Sequence, residues 1–168
     1  LITALSDPMT RDHMGITAEN IAAKFNITRE DQDTYAYGSQ MKAAAAKREG
    51  RFKEEIIPVE VKVSKKETKI FAEDEFIRED STLEKLAKLR PAFKKDGTVT
   101  AGNASGINDC GAAVIVMKAA EAAKRGIKPI VRIVDTAVAG VDPAYMGLGP
   151  IPAVKKLWEK TGIKDEQI

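Results

Sequence analysis

A chain of 168 residues is long enough to bury a core and to form one or two domains. Its 27 basic and 25 acidic residues leave a formal net charge of +2, so the balance points to neither nucleic acid nor an anionic membrane as partner. A single cysteine, Cys110, excludes an internal disulfide and suits a reducing compartment, and with a single histidine it leaves too few ligands for a protein-only zinc cage.

No apolar run is long enough to span a bilayer, and no secretory leader is visible. The chain begins at Leu1 rather than Met, as expected of an internal piece from which a targeting segment could be missing. Neither an internal repeat nor a low-complexity tract interrupts it.

Thr17 to about Phe25 reads as a short helix. Thr28 then caps a longer one, with Asp31 at capping-box spacing, running through Ala43–Ala46 to a stop at Gly50. Beyond Phe52 the chain turns extended; Val59, Val61 and Val63 alternate with Glu60 and Lys62, the period of a half-buried strand. Pro58 at its start suggests an edge or a bulge. Lys65-Lys66-Glu67 is a charged turn, and Ser81 with Glu84 repeats the capping-box spacing before a short helix ending near Pro91.

After Asn108 the texture changes. Ala112 to Met117 is a continuous apolar run, as in a strand buried on both faces. Ala119 to Arg125 reads as a helix stopped by Gly126, and Pro129 to Val138 is again β-rich. Pro152 stands where a further helix should start, with Val154, Leu157 and Trp158 on one face before Gly162. This β-α-β-α order predicts a layered α/β core after a boundary near residue 107, with an α+β excursion before it.

The most informative stretch is Thr98 to Asp109, a β-prone Thr-Val-Thr followed by small and short polar residues. Gly102 and Gly106 let backbone approach something bulky, while Thr100, Asn103 and Ser105 offer hydrogen bonds without filling space. Composition alone leaves two readings open: a strand running into a loop that lines a ligand, or a polar turn between two elements.

Thr98 to Asp109 resembles the TVTAGNASGIND sequence of thiolases, in particular the biosynthetic type that transfers acetyl groups. His13 to Asn20 resembles their HMG-TAEN segment, Thr28 to Asp33 their S/T-R-E/D-x-Q-D, and Arg51 to Pro58 their RFKDEIVP. Leu89 to Phe93, Gly140 to Pro143 and Met146 to Ala153 also fit, in the family's order and near its spacing. The stretch from Arg51 to Arg78 is one residue longer than in similar sequences, and the extra residue falls in the turn at Lys65–Thr68.

The resemblance implies an α/β thiolase fold, layered α-β-α, carrying an inserted α+β loop domain. Residues 1–107 would be that coenzyme A-binding loop domain, incomplete at its N-terminus; 108–128 the end of the N-terminal half; and 129–168 the start of the C-terminal half. It implies an acetyl-CoA C-acetyltransferase that condenses two acetyl-CoA molecules to acetoacetyl-CoA, or runs the reverse thiolysis, through a cysteine acyl-enzyme. The chemistry needs a thiolate nucleophile, a base near the α-carbon and donors aimed at the developing oxyanion. In the family these are two cysteines, the histidine of a GHP motif and the asparagine of NEAFA. None is in this chain, so no catalytic residue is assigned and the chain alone is expected to be inactive.

What the resemblance does carry over is substrate binding: His13 and Met14 along the pantetheine tunnel, Ser105 donating to a pantetheine amide, and Ala101 offering backbone in the same stretch. Leu5 and Met146 match apolar positions flanking the pantetheine; ordinary core packing is the alternative for both. Arg78 matches an arginine beside the adenine and its phosphates, a contact suited to guanidinium; without the resemblance it reads as a surface ion pair. Lys85 reads as phosphate contact or solvated lysine. Cys110, entering an apolar run, reads as a small buried hydrophobe. Expected partners are acetyl-CoA and coenzyme A as substrates, with no separate cofactor or metal, no nucleic acid and no membrane. The parent would be a cytoplasmic homotetramer. The competing reading is a non-catalytic coenzyme A-binding or scaffold fragment.

Overall fold

The computed structural model describes residues 2–167. The chain divides between Asn108 and Asp109 into two compact units.

In the first unit, a 3-10 turn at Ile2–Leu5 precedes helix α1, Met14–Phe25. The helix starts three residues before the expected Thr17. His13 supplies the cap: its Nδ1 accepts the Gly15 N–H at 3.0 Å, so an imidazole does what a Ser or Asp usually does. Asn26 closes the helix in the left-handed region at φ 54°, which asparagine tolerates.

Helix α2, Arg29–Arg48, forms as expected. The Thr28 hydroxyl accepts the Asp31 N–H at 3.1 Å, and the Asp31 carboxylate accepts the Thr28 N–H at 2.8 Å. The far end is a Schellman closure: Gly50 N–H donates to the Lys47 carbonyl and Arg51 N–H to the Ala46 carbonyl, each at 3.0 Å, with Gly50 at φ 72°.

Strands β1, Val59–Lys62, and β2, Thr68–Phe71, make an antiparallel ribbon pairing Val59 with Phe71 and Val61 with Lys69. The Val63 and Ser64 N–H groups close its turn on the Glu67 carbonyl. Every residue of both strands is exposed, which corrects the half-buried reading of β1. An alternating pattern reports that one face is apolar; it does not supply the surface that would cover it.

Helix α3, Leu83–Ala87, is capped by Thr82, whose hydroxyl accepts the Lys85 N–H at 3.2 Å. The expected Ser81–Glu84 box does not form: the cap falls one residue later, on Thr82, and Lys85 three residues on has no acceptor to return the bond. The buried residues described in this unit are Gly15, Ala22, Ala44, Leu86 and Val99, together with Thr17, Glu19, Asp33 and Thr100. They lie on α1, α2, α3 and the Thr98–Thr100 stretch, so the segment singled out by sequence is itself part of the small core. At Gly15 a Cβ would overlap the Phe93 ring, so that ring can lie on α1 only because the side chain is absent.

In the second unit, helix α4, Ala119–Lys124, ends before Gly126 at φ 67°. Helix α5, Pro150–Thr161, starts two residues before the expected Pro152 and closes on Gly162 at φ 70°. A 3-10 stretch at Pro143–Leu148 is capped by Asp142, which accepts the Ala144 N–H at 2.9 Å. Lys160 reaches the Asp135 carboxylate at 2.6 Å and Lys156 the Val138 carbonyl at 3.0 Å.

The expected strands at 112–117 and 129–138 do not form among the described residues. Ile115 is 87% exposed and Ile130 99%. A strand needs a neighbour for its N–H and C=O groups, and the sequence of one strand cannot provide it. Cys110 is exposed rather than buried, for the same reason: the apolar run it enters is uncovered.

Candidate functional site

The Thr98–Ser105 segment is built from two helices. From α1 comes Glu19, only 6% exposed. Its carboxylate accepts the Thr98 N–H at 2.8 and 3.0 Å, the Thr98 hydroxyl at 2.9 Å and the Val99 N–H at 2.8 Å. A buried carboxylate is costly unless its lone pairs are filled, and here four hydrogen bonds fill them. From α2 come Gln32, whose amide donates to the Thr98 hydroxyl at 2.8 Å, and Asp33. Asp33 accepts from Asn103 Nδ2 at 2.9 Å and from Arg29 Nε at 2.7 Å.

Asn103 in turn holds the loop from inside. Its Oδ1 accepts the Thr100 N–H at 2.7 Å, and its Nδ2 also donates to the Thr98 carbonyl at 3.0 Å. The Thr100 hydroxyl accepts the Gly102 N–H at 3.1 Å, and the Thr100 carbonyl accepts from Asn103 and Ala104. Thr100 itself is fully buried. Arg29 extends the framework to α3, donating to the Leu86 carbonyl at 2.6 Å and the Leu89 carbonyl at 3.1 Å. The result is a turn whose inner residues are fixed, while Ala101 and Ser105 remain exposed.

The other predicted residues fall into three places. An isolated antiparallel bridge pairs Ser6 with His13, putting half-buried Leu5 next in chain to one partner and Met14 next to the other. His13 stacks on Phe93 with ring centroids 4.6 Å apart and planes 23° from parallel; its Nδ1 is engaged by Gly15, so Nε2 is the nitrogen left to carry the proton of the neutral ring. Arg78 stands in the loop before α3, its N–H donating to Gln40 Oε1 at 2.8 Å. Beside it, Lys85 bonds both the Asp80 carboxylate and the Asp80 carbonyl at 2.7 Å. The Lys85 hydrogen bond, then its charge, holds the Asp80 carboxyl below its ordinary value of 3.8. Met146 belongs to the second unit, exposed in the 3-10 stretch.

A shallow cleft lined by Lys47, Phe52, Lys53, Glu73 and Ile77 includes none of the predicted residues. Among the described residues no group of three or more His, Cys, Asp or Glu side chains is arranged to hold a metal ion. No helix among them is long and apolar enough to cross a membrane.

Sequence reasoning missed Glu19, Asp33 and Arg29. A signal existed for each. Glu19 lies four residues after Gly15 and three before Ala22, on the small-residue face of α1 that packs inward. Asp33 follows Arg29 by four residues, the spacing of a helical ion pair.

A family model described as "Thiolase, N-terminal domain" matches residues 1–120. Acetyl-CoA acetyltransferase of Rhizobium meliloti is 57% identical over 158 residues, covering 94% of this chain and 40% of that protein. The protein of the same name from Syntrophomonas wolfei is 55% identical over 164 residues, covering 98% and 41%. The chain therefore spans about two fifths of the length of these relatives. Among solved structures, the acetyl-CoA acetyltransferase of Bacillus anthracis superposes with a TM-score of 0.92 at 46% identity, covering 96% of this chain and 41% of that one. Human mitochondrial 3-ketoacyl-CoA thiolase superposes with 0.84 at 41% identity, covering the same shares. The backbone thus follows the α/β thiolase fold, with the better superposition on the acetyltransferase. Motif order, fold and the family model over residues 1–120 agree: this chain belongs to the thiolase family.

Proposed function

We propose that this chain is part of an acetyl-CoA C-acetyltransferase, which joins two acetyl-CoA molecules into acetoacetyl-CoA or runs the thiolysis in reverse. A cysteine thiolate would attack the acetyl thioester and release coenzyme A; a second acetyl-CoA, deprotonated at its α-carbon, would then take the acetyl group from the cysteine. In this reading the chain contributes substrate binding, and the nucleophile and its activators lie outside it. Residues 1–107 act as the loop domain, 108–128 end one half of the core and 129–168 open the other. The substrates are coenzyme A thioesters, no further cofactor takes part, and the parent works as a cytoplasmic homotetramer.

The observation that carries this reading is the fixed turn with Ala101 and Ser105 exposed on it. A long arm with two amides binds well to surface that already holds its shape, because little entropy is lost on docking. Ser105 donates to a pantetheine amide, Ala101 offers backbone, and Leu5, His13 and Met14 flank the arm. Arg78 meets the nucleotide. The names of the relatives above support the acetyl group as cargo.

The test is a chimaera in which this chain replaces its matching stretch in the Syntrophomonas wolfei protein. Ping-pong kinetics with acetyl-CoA are expected; sequential kinetics without an acyl-enzyme would overturn the reading. The 168-residue chain by itself is expected to show no thiolysis. The alternative, a non-catalytic coenzyme A-binding or scaffold fragment, rests on the absence of the family's nucleophile and its activators from this sequence. It predicts a chimaera that binds coenzyme A and turns nothing over.

A further inference from the structure

We propose that Glu19 is a positioning residue for the pantetheine-binding turn: its carboxylate fixes the backbone at Thr98 and Val99, so that the turn from Ala101 to Ser105 is held in one conformation. The inference rests on the acyltransferase reading above.

Three observations converge on it. First, the carboxylate is buried and spends its oxygens on the loop, on two consecutive backbone N–H groups and one hydroxyl. A neutral glutamine in its place would offer one acceptor and turn an N–H₂ toward donors. Second, the backbone comes as near as the residue type permits. A Cβ on Gly97 would overlap Glu19 Oε1, so a larger residue there would push the loop off the carboxylate. Third, a second buried acid, Asp33 of α2, holds Asn103 at the other side of the same short stretch.

Acids from two helices thus pin residues 98–99 and 103, which bracket Ala101 and stop just short of Ser105. The pinned residues themselves carry no proposed substrate contact; the exposed ones beside them do. That division is what preorganisation requires, with locked side chains behind the groups that meet a ligand.

The experiment uses the chimaera described above, unsubstituted and as Glu19→Gln, Ser105→Ala and the double variant. Amide hydrogen exchange and steady-state kinetics with acetyl-CoA are read on each. The expected result for E19Q is exchange at Thr98 and Val99 faster by about a hundredfold, with the remaining amides of α1 and α2 unchanged. It also includes a KM for acetyl-CoA raised about tenfold at nearly constant kcat. Because Glu19 acts through the turn that carries Ser105, the double variant is expected to be no worse in KM than the worse single variant.

Unchanged exchange at Thr98 and Val99 in E19Q, an unchanged KM, or full additivity with S105A overturns the proposal. Should E19Q fail to fold, Glu19→Asp, which keeps the charge but shortens the reach, is read by the same criteria. If the unsubstituted chimaera turns over no acetyl-CoA, the acyltransferase reading falls, and exchange in E19Q alone decides whether Glu19 fixes the turn.

Discussion

Glu19 and Thr98, seventy-nine positions apart, are joined by three hydrogen bonds: two from the Thr98 N–H to the two carboxylate oxygens and one from its hydroxyl. With the fourth, from Val99, they make one helical side chain the tie between α1 and the loop.

Replacing Glu19 by Ala removes the acceptor and leaves the half-buried Thr98 N–H and the buried Val99 N–H without partners. Each orphaned buried donor costs about 1–3 kcal/mol, so a loss of roughly 3 kcal/mol in unfolding free energy is expected. Urea titration of E19A beside Glu30→Ala, an exposed acid on α2, measures it; E30A should shift the midpoint little.

Gly15→Ala places a methyl where the Phe93 ring lies. Overpacking of this kind costs about 1–3 kcal/mol. Phe93→Leu in the same protein should recover part of the loss, at the expense of the stacking on His13. Thermal unfolding of the two single variants and the pair checks the coupling.

The Thr28 hydroxyl hydrogen bond, followed by that from the Thr28 N–H, holds the Asp31 carboxyl below its ordinary value of 3.8. A depressed carboxylate favours the folded state fully above that ordinary value and progressively less as pH falls through the lowered one. Thr28→Ala should therefore lower helix stability at neutral pH and make the remaining stability less sensitive to acid below about pH 4. Circular dichroism melts across pH 2–7, read as a difference from the unsubstituted protein, decide it.

Exposed apolar stretches at 112–117 and 130–134, which find no strand partner within the chain, should make the isolated chain self-associate by pairing between copies. Ile115→Lys, at a position 87% exposed, should raise the concentration at which light scattering appears while leaving unfolding of the first unit unchanged.

Local chemistry was legible wherever it completes itself locally. The Thr28–Asp31 box and the Gly50 stop appear in the structure as read from the residues, because a cap needs only neighbours within a few positions. The strands after Asn108 were not, because an apolar run states a preference for burial and cannot name its partner. The fixed turn was half legible. Ser105 was singled out as short and polar and Ala101 through the resemblance alone, whereas Glu19 and Asp33 drew no separate reading. Only contacts across the fold distinguish a carboxylate that faces water from one that holds a loop.

Asn103 uses both ends of its amide, accepting from Thr100 with one and donating to Asp33 and the Thr98 carbonyl with the other. Deamidation there would exchange the donating end for oxygen and set a second negative charge against Asp33, at the 2.9 Å where a hydrogen bond had been. A single hydrolytic lesion would turn that contact from attraction to repulsion, directly beneath Ser105.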